Sequence, residues 1–367
     1  MKKQITLTLI SAFLISFTTN ADADVKQGDA CKKIGAKTTI AGNKYICKIS
    51  GKKLIWKKGE IVKPTTTPTH PSPSNDEDVQ NIAIFKNSLL QIRNYANPNI
   101  NLAKTFYVDS RVSPIQTNWI EKAQDNVLSS MGGLLGPSTH IFSTIAFDAE
   151  YANDTYSKIE SITGTEPGAL AKNNSIPLAY CSHACAFSSP VNGKIEFPSI
   201  TYVKPMTTID GKELGAHETF HIVQNSLDLN PGNLPCWIHE GQATLVGSAL
   251  ADPTETFDST IKMIRAFGGM HSAGSDLTKI EAPQGWNGGH GPCMDVGEYQ
   301  VGRIANAFLV GKFGWQKSLD FLTAMNGQPA DGNSWKVVFE KTFSQPVSAF
   351  YVDADPFINW FFSKYIS

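Results

Sequence analysis

The sequence predicts an α+β domain over residues 77–367, preceded by a small disulfide-closed β module over residues 24–62. Three observations predict it. The charge is uneven: residues 24–63 carry eleven lysines against Asp24, Asp29 and Glu60, a balance of +8, while all 367 residues together stand at −1. A Pro/Thr/Ser tract from Lys63 to Ser74 then interrupts the chain, and so proline-rich a segment stays extended and builds no core. Beyond it, strand-like pieces give way to long stretches with helical spacing of apolar residues, the order expected of an α+β domain. An apolar share of 41% with 18% charged residues excludes a disordered chain.

The elements follow in order. Lys2 and Lys3, the apolar run Ile5–Phe17 and the small-residue pattern Ala21-Asp22-Ala23 read as a signal peptide over residues 1–23. That run falls short of the ~20 residues a membrane span needs, and no later run reaches it. The expectation is a secreted, extracellular protein without a membrane span. Export places the six cysteines in an oxidising compartment, where disulfides are the first reading. Cys31 and Cys47 are expected to pair within the module. The pairing among Cys181, Cys185, Cys236 and Cys293 stays open, and Cys181-Ser-His183-Ala-Cys185 reads as disulfide-forming rather than as a metal cluster.

The module alternates turn signals (Gly35, Gly42-Asn43, Gly51) with short strand-like pieces. Its positive charge suits an anionic cell-wall polymer, or simply keeps a tiny domain in solution. Nothing in the chain calls for nucleic acid. After a linker over residues 63–76, helical spacing marks 83–95 and 119–128, a strand bent at Pro198 occupies 194–204, and helices are expected over 214–227, 238–250, 299–313 and 315–325. There is no internal repeat. Phe357, Trp360, Phe361 and Phe362 read as core.

The chemistry concentrates in Ala216-His217-Glu218-Thr219-Phe220-His221-Ile222. Helix positions i and i+4 share a face, so His217 and His221 can offer two imidazoles to one ion. Glu218 lies one residue round and can reach a water there without being a ligand. Amide hydrolysis needs such a water, its pKa lowered by a metal, and a carboxylate to take its proton. A catalytic zinc site also needs a third protein ligand and an open fourth position. Trp237-Ile238-His239-Glu240-Gly241-Gln242-Ala243 supplies Glu240, with 18 residues between it and His221. His239 is the rival, but neighbouring helical residues diverge by about 100°, so the two cannot both face the ion.

His-Glu-x-x-His, 18 residues, then Glu in a Trp-x-x-Glu-Gly-x-Ala context resembles the gluzincin metallopeptidases, especially the zinc aminopeptidase family. The resemblance covers roughly residues 207–325 and continues at Tyr299-Gln300-Val301-Gly302. It implies a thermolysin-like domain with one catalytic zinc ion held by His217, His221 and Glu240. It further implies Glu218 as general base and Tyr299 as the hydrogen-bond donor to the oxyanion. The Glu-Gly context favours Glu240 over His239, which is then expected to face solvent or to be hydrogen-bonded. A metzincin pattern is excluded by Gln224 and Leu227, where that family has Gly and His.

Two departures refine the reading. The Gly-x-Met-Glu-Asn segment with which the aminopeptidases capture a free amine is missing, so an endopeptidase acting on a peptide or protein substrate is expected. Thr244 stands where some thermolysin-like enzymes carry an acidic partner for a ligand histidine, leaving that partner unassigned. Gly285–Gly291 reads as a surface loop; the alternative makes it a rim of the cleft, with His290 a second oxyanion donor. The strand ending near Tyr202 is expected at a sheet edge, where gluzincins bind an extended peptide. The competing reading of the whole chain is a surface-binding protein with a structural zinc site and no turnover.

Overall fold

The computed structural model describes residues 29–30, 37–40, 43–50, 53–58, 75–99, 101–137, 139–172, 185–191, 194–203, 209–228, 234–267, 274–281, 296–329, 331 and 333–366. The signal-like start, Cys31, the linker tract up to Ser74, Cys181, His183, His290 with its glycine-rich loop, and Cys293 lie outside them. The chain divides into two compact units, Met1–Ser72 and Pro73–Ser367.

The first unit is a three-stranded antiparallel sheet in sequence order: β1 (Lys37–Ile40), β2 (Asn43–Ser50) and β3 (Lys53–Lys58). Strand alternation sends successive side chains to opposite faces. Cys47 is accordingly buried, while its neighbour Lys48 is exposed, as are Lys53 and Lys57. The outer side of β3 is occupied too: Trp56 N–H donates to Asp29 O at 2.8 Å, and Ala30 bridges to Ile55. Cys47 is not a free thiol. Its expected pairing with Cys31 falls outside the described residues.

The second unit begins with α1 (Asn75–Arg93), several residues before the apolar spacing becomes visible. Asp76, Glu77 and Asp78 fill its first turn, where the helix dipole favours negative charge. The sheet is four-stranded and ordered β4 (Ala103–Val108), β5 (His140–Ala146), β7 (Lys194–Val203), β6 (Cys185–Val191). β4, β5 and β7 run parallel, and β6 is antiparallel to β7. Parallel neighbours need a crossover. α2 (Pro114–Met131) provides the one from β4 to β5, started by Ser113 Oγ, which accepts from Gln116 N–H, and by Pro114 at the first position. α3 (Ala149–Thr163) follows β5, capped by Asp148 and ended at Gly164 with φ 66°.

Helices and strands therefore alternate in the first half of this unit, where the expectation was strands first and helices after. The expected edge strand is also corrected: β7 is paired on both sides, and the edges are β4 and β6. The hairpin partner that covers β7 is the cysteine-bearing segment 185–191, whose strand character its Cys, Ser and Pro residues conceal. β5 joins β7 only from Ser199 onward, past Pro198, which has no N–H to give a ladder.

Further helices follow among the described residues. They are α4 (Ile209–Leu227), α5 (Cys236–Leu250), α6 (Phe257–Phe267), α7 (Val296–Phe313), α8 (Trp315–Met325) and α9 (Ser334–Phe343). A last helix, α10 (Val347–Tyr365), buries Phe357, Trp360 and Phe361 as expected of core aromatics. α5 is the axis of the fold, for every one of its 15 residues is buried. One continuous apolar core joins Phe85, Leu89 and Ile92 of α1 to Trp237 of α5, Ile304 of α7 and Phe361 of α10. Each such side chain contributes roughly 1.5–3 kcal/mol on burial. Side chains from Phe85 to Ile145 belong to this core, while Ala152, Tyr156, Ile159 and Leu170 pack with Phe142 and Ala146 in a second cluster. Arg93 reinforces the join by donating to Ala249 O, Glu255 O and Thr260 Oγ1. Among the described residues no helix is long and apolar enough to cross a membrane.

Candidate metal centre

α4 carries Glu213, His217, Glu218, His221 and Gln224, all buried between the sheet and α5. It is seated at Gly215, where an added Cβ would lie 2.9 Å from Ile120 O of α2. Only a residue without a side chain allows that approach. α5 presents Glu240 to the same space. His217 Nε2 and His221 Nε2 stand 3.0 Å apart, and Glu240 Oε2 lies 3.2 Å from the first and 3.3 Å from the second. These three buried donors could hold a metal ion, and no other His, Cys, Asp or Glu cluster among the described residues converges in this way.

The hydrogen bonds behind the imidazoles decide which nitrogen faces the centre. Thr244 Oγ1–H donates to Glu240 O at 2.6 Å, so at 3.2 Å its oxygen accepts from His217 Nδ1–H. Gln224 Nε2 donates to His239 O at 3.0 Å and to Gln242 Oε1 at 3.1 Å. Its Oε1 is thereby the acceptor for His221 Nδ1–H at 2.7 Å. Both rings thus carry a proton on Nδ1 and turn Nε2 to Glu240, so that Nε2 is the nitrogen free to ligate a metal once it has no proton of its own. The partner unassigned from sequence is Thr244 for His217, with Gln224 for His221. Both are short polar residues on buried helix faces, and nothing in their spacing distinguishes them from ordinary interior Thr and Gln.

Glu218 Oε1 lies 3.8 Å from His217 Nε2, beside the donor triangle rather than within it. Burial pushes its carboxyl up to about 8. Burial pushes the His217 imidazole down to about 4. Burial also opposes charge on His221, yet the Glu240 carboxylate prevails and holds that ring up to about 9. Burial likewise opposes charge on Glu240, and His221 foremost keeps its carboxyl well below the usual range. A buried carboxylate ringed by imidazoles is stable only with positive charge at its side.

Tyr299 comes from α7, its ring centroid 5.8 Å from that of His217. Gly241 and Gly302 place it there. A Cβ on Gly241 would fall 2.3 Å from Gly302 C, and one on Gly302 would fall 2.8 Å from Trp237 O. α5 and α7 therefore touch backbone to backbone, one residue after Glu240 and three after Tyr299. Arg303 adds an ion pair to Glu213, almost wholly buried, that ties α7 to α4 one turn from each functional residue. Asn306 Nδ2 donates across the same crossing to Trp237 O at 2.7 Å.

His239 does not face solvent. It is 7% exposed, donates from Nδ1 toward Glu240 Oε1 at 3.2 Å and stacks on His221 with centroids 4.4 Å apart. The hydrogen-bonded alternative is the one realised, and both side chains also contact His221. The structure thus gathers His217, Glu218, His221, Glu240 and Tyr299 at one place. No protein-family model matches the chain, and no curated protein matches it in sequence.

Proposed function

We propose that the second unit is a zinc-dependent peptidase of the gluzincin type, acting as an endopeptidase on exported or extracellular polypeptide. The observation that carries this reading is the convergence of two Nε2 atoms and one carboxylate oxygen at 3.0–3.3 Å, with Glu218 beside them. Zinc bonds nitrogen and carboxylate oxygen at ~2.0–2.1 Å, and tetrahedral ligands at that distance stand about 3.3 Å apart. The three donors thus have the mutual spacing of ligands on one such ion.

When bound, zinc supplies Lewis-acid polarisation of the scissile carbonyl and lowers the pKa of the attacking water. His217, His221 and Glu240 would hold it, with Thr244 and Gln224 accepting from the Nδ1–H of the two imidazoles. Glu218 takes the proton as the water oxygen bonds to the carbonyl carbon. Tyr299 donates its O–H to the developing oxyanion, a stabilisation worth several kcal/mol when preorganised. As the C–N bond breaks, Glu218 passes the proton to the departing amine. The basic first unit, with Lys48, Lys53 and Lys57 exposed on its sheet, serves to attach the enzyme to an anionic cell-wall polymer.

The test is metal content together with chelator-sensitive cleavage of an unfolded protein substrate. Glu218→Gln is expected to retain one zinc per chain while hydrolysis falls by about 10²–10⁴-fold; retained turnover would refute Glu218 as the base. Zinc bound by a wild-type chain that cleaves nothing in a broad peptide library would favour the non-catalytic reading.

A further inference from the structure

Glu240 uses its two oxygens differently. Oε2 faces both candidate ligand imidazoles, 3.2 Å from His217 Nε2 and 3.3 Å from His221 Nε2. Oε1 turns away and lies 3.2 Å from His239 Nδ1. A carboxylate only accepts, so the proton of that bond belongs to His239. The same ring lies almost flat on His221, at an interplanar angle of 22°. His239 is outside the converging donor group, yet it touches two of its three members.

Neighbouring helical residues do not normally face each other. Residues 239 and 240 nevertheless touch each other, and both also contact His221. The consequence concerns ligand count. A carboxylate whose second oxygen is unrestrained can close onto an ion with both oxygens, and that oxygen then occupies the direction a catalytic site must leave open. A hydrogen bond from His239 to Oε1 opposes that closure. Among the described residues His239 Nε2 is buried without a hydrogen-bond partner, and the Nδ1 bond and the stack on His221 are the contacts that orient the ring.

We infer that His239 is a positioning residue: it confines Glu240 to single-oxygen ligation and holds the His221 ring, keeping the fourth coordination direction open. This rests on the metal-hydrolase reading above. It separates the roles of two adjacent residues that the sequence offers as rivals for one ligand position.

The experiment measures Zn²⁺ affinity of the full chain by competition with a chromophoric chelator, for His239→Asn, His239→Gln and His239→Phe. Asn places an amide donor near the position of Nδ1, Gln extends it to that of Nε2, and Phe keeps only the stacking ring. Asn is expected to stay within about 3-fold of wild type, while Gln and Phe weaken Zn²⁺ by about 10–100-fold. Co²⁺ in place of Zn²⁺ reports coordination number through its visible absorption. The bands should keep their four-coordinate intensity in wild type and Asn, and should weaken in Gln and Phe as Oε1 joins the ion. Equal affinities and equal Co²⁺ spectra across all three variants would overturn the inference while leaving the zinc site standing. A wild-type chain whose Zn²⁺ binding is unchanged by His217→Ala would overturn both.

Discussion

At the scale of single residues, Thr244 performs two tasks with one hydroxyl. It donates to the carbonyl of its own helix at Glu240 and accepts from His217 Nδ1–H. Thr244→Val preserves shape and removes both bonds, leaving His217 without the acceptor that selects its ligating tautomer. Zinc affinity should fall by about 10–100-fold with the fold intact, as read by chelator competition beside circular dichroism. An affinity equal to wild type would show that His217 is oriented by packing alone. Glu218→Gln probes a different property, proton transfer without ligation, so turnover falls in that variant while metal content does not. Comparing the two variants separates what holds the ion from what uses it.

At the scale of elements, two joints hold neighbouring elements of the second unit together. The first is the α5–α7 crossing at Gly241 and Gly302. Gly302→Ala would drive a methyl to 2.8 Å from Trp237 O and 2.9 Å from Gly241 Cα, so the helices must part. A cost of about 1–3 kcal/mol is expected, typical of overpacking. The rate should fall more than zinc affinity, because Tyr299 moves with α7 while the ligands sit on α4 and α5. Thermal melting and kcat together check this. The second joint lies at the C-terminal ends of β4 and β5. There Arg111 bridges Asp109 at 2.6 Å and Asp148 at 2.7 Å, and Asp109 also accepts from Phe147 N–H. The Arg111 guanidinium holds the Asp109 carboxyl down to about 2. A carboxyl depressed by folding contributes stability above its unfolded pKa, near 4, and loses that contribution as pH falls toward 2. Asp109→Asn should therefore cost about 1 kcal/mol at neutral pH, after allowance for the half-exposed arginine. Denaturant curves of the two proteins should converge by pH 2; a constant gap would exclude the ion pair as its source.

At the scale of the whole molecule, the site lies where α4, α5 and α7 meet, so metal binding and folding are linked. An ion that binds only the folded chain stabilises it by about 4 kcal/mol at a thousand times its dissociation constant. A chelator should lower the melting temperature of the wild type and leave that of His217→Ala unchanged. Equal shifts in both proteins would place the relevant metal elsewhere.

Much of this arrangement was legible in the chain. The i, i+4 histidines, the carboxylate beside the first of them and the second helix bearing Glu240 follow from helical periodicity, a short-range property written in adjacent residues. So do the long helices of the second half and the core character of Phe357, Trp360 and Phe361. What only the tertiary structure decided depends on contacts between residues far apart in sequence. Thr244 and Gln224 become partners of the histidines, Gly241 meets Gly302, β6 rather than β7 lies at the sheet edge, and His239 turns inward. A local pattern sets which face a side chain takes on its own element. The other elements packed against that face determine what it touches, and in this chain those contacts convert five residues into one site.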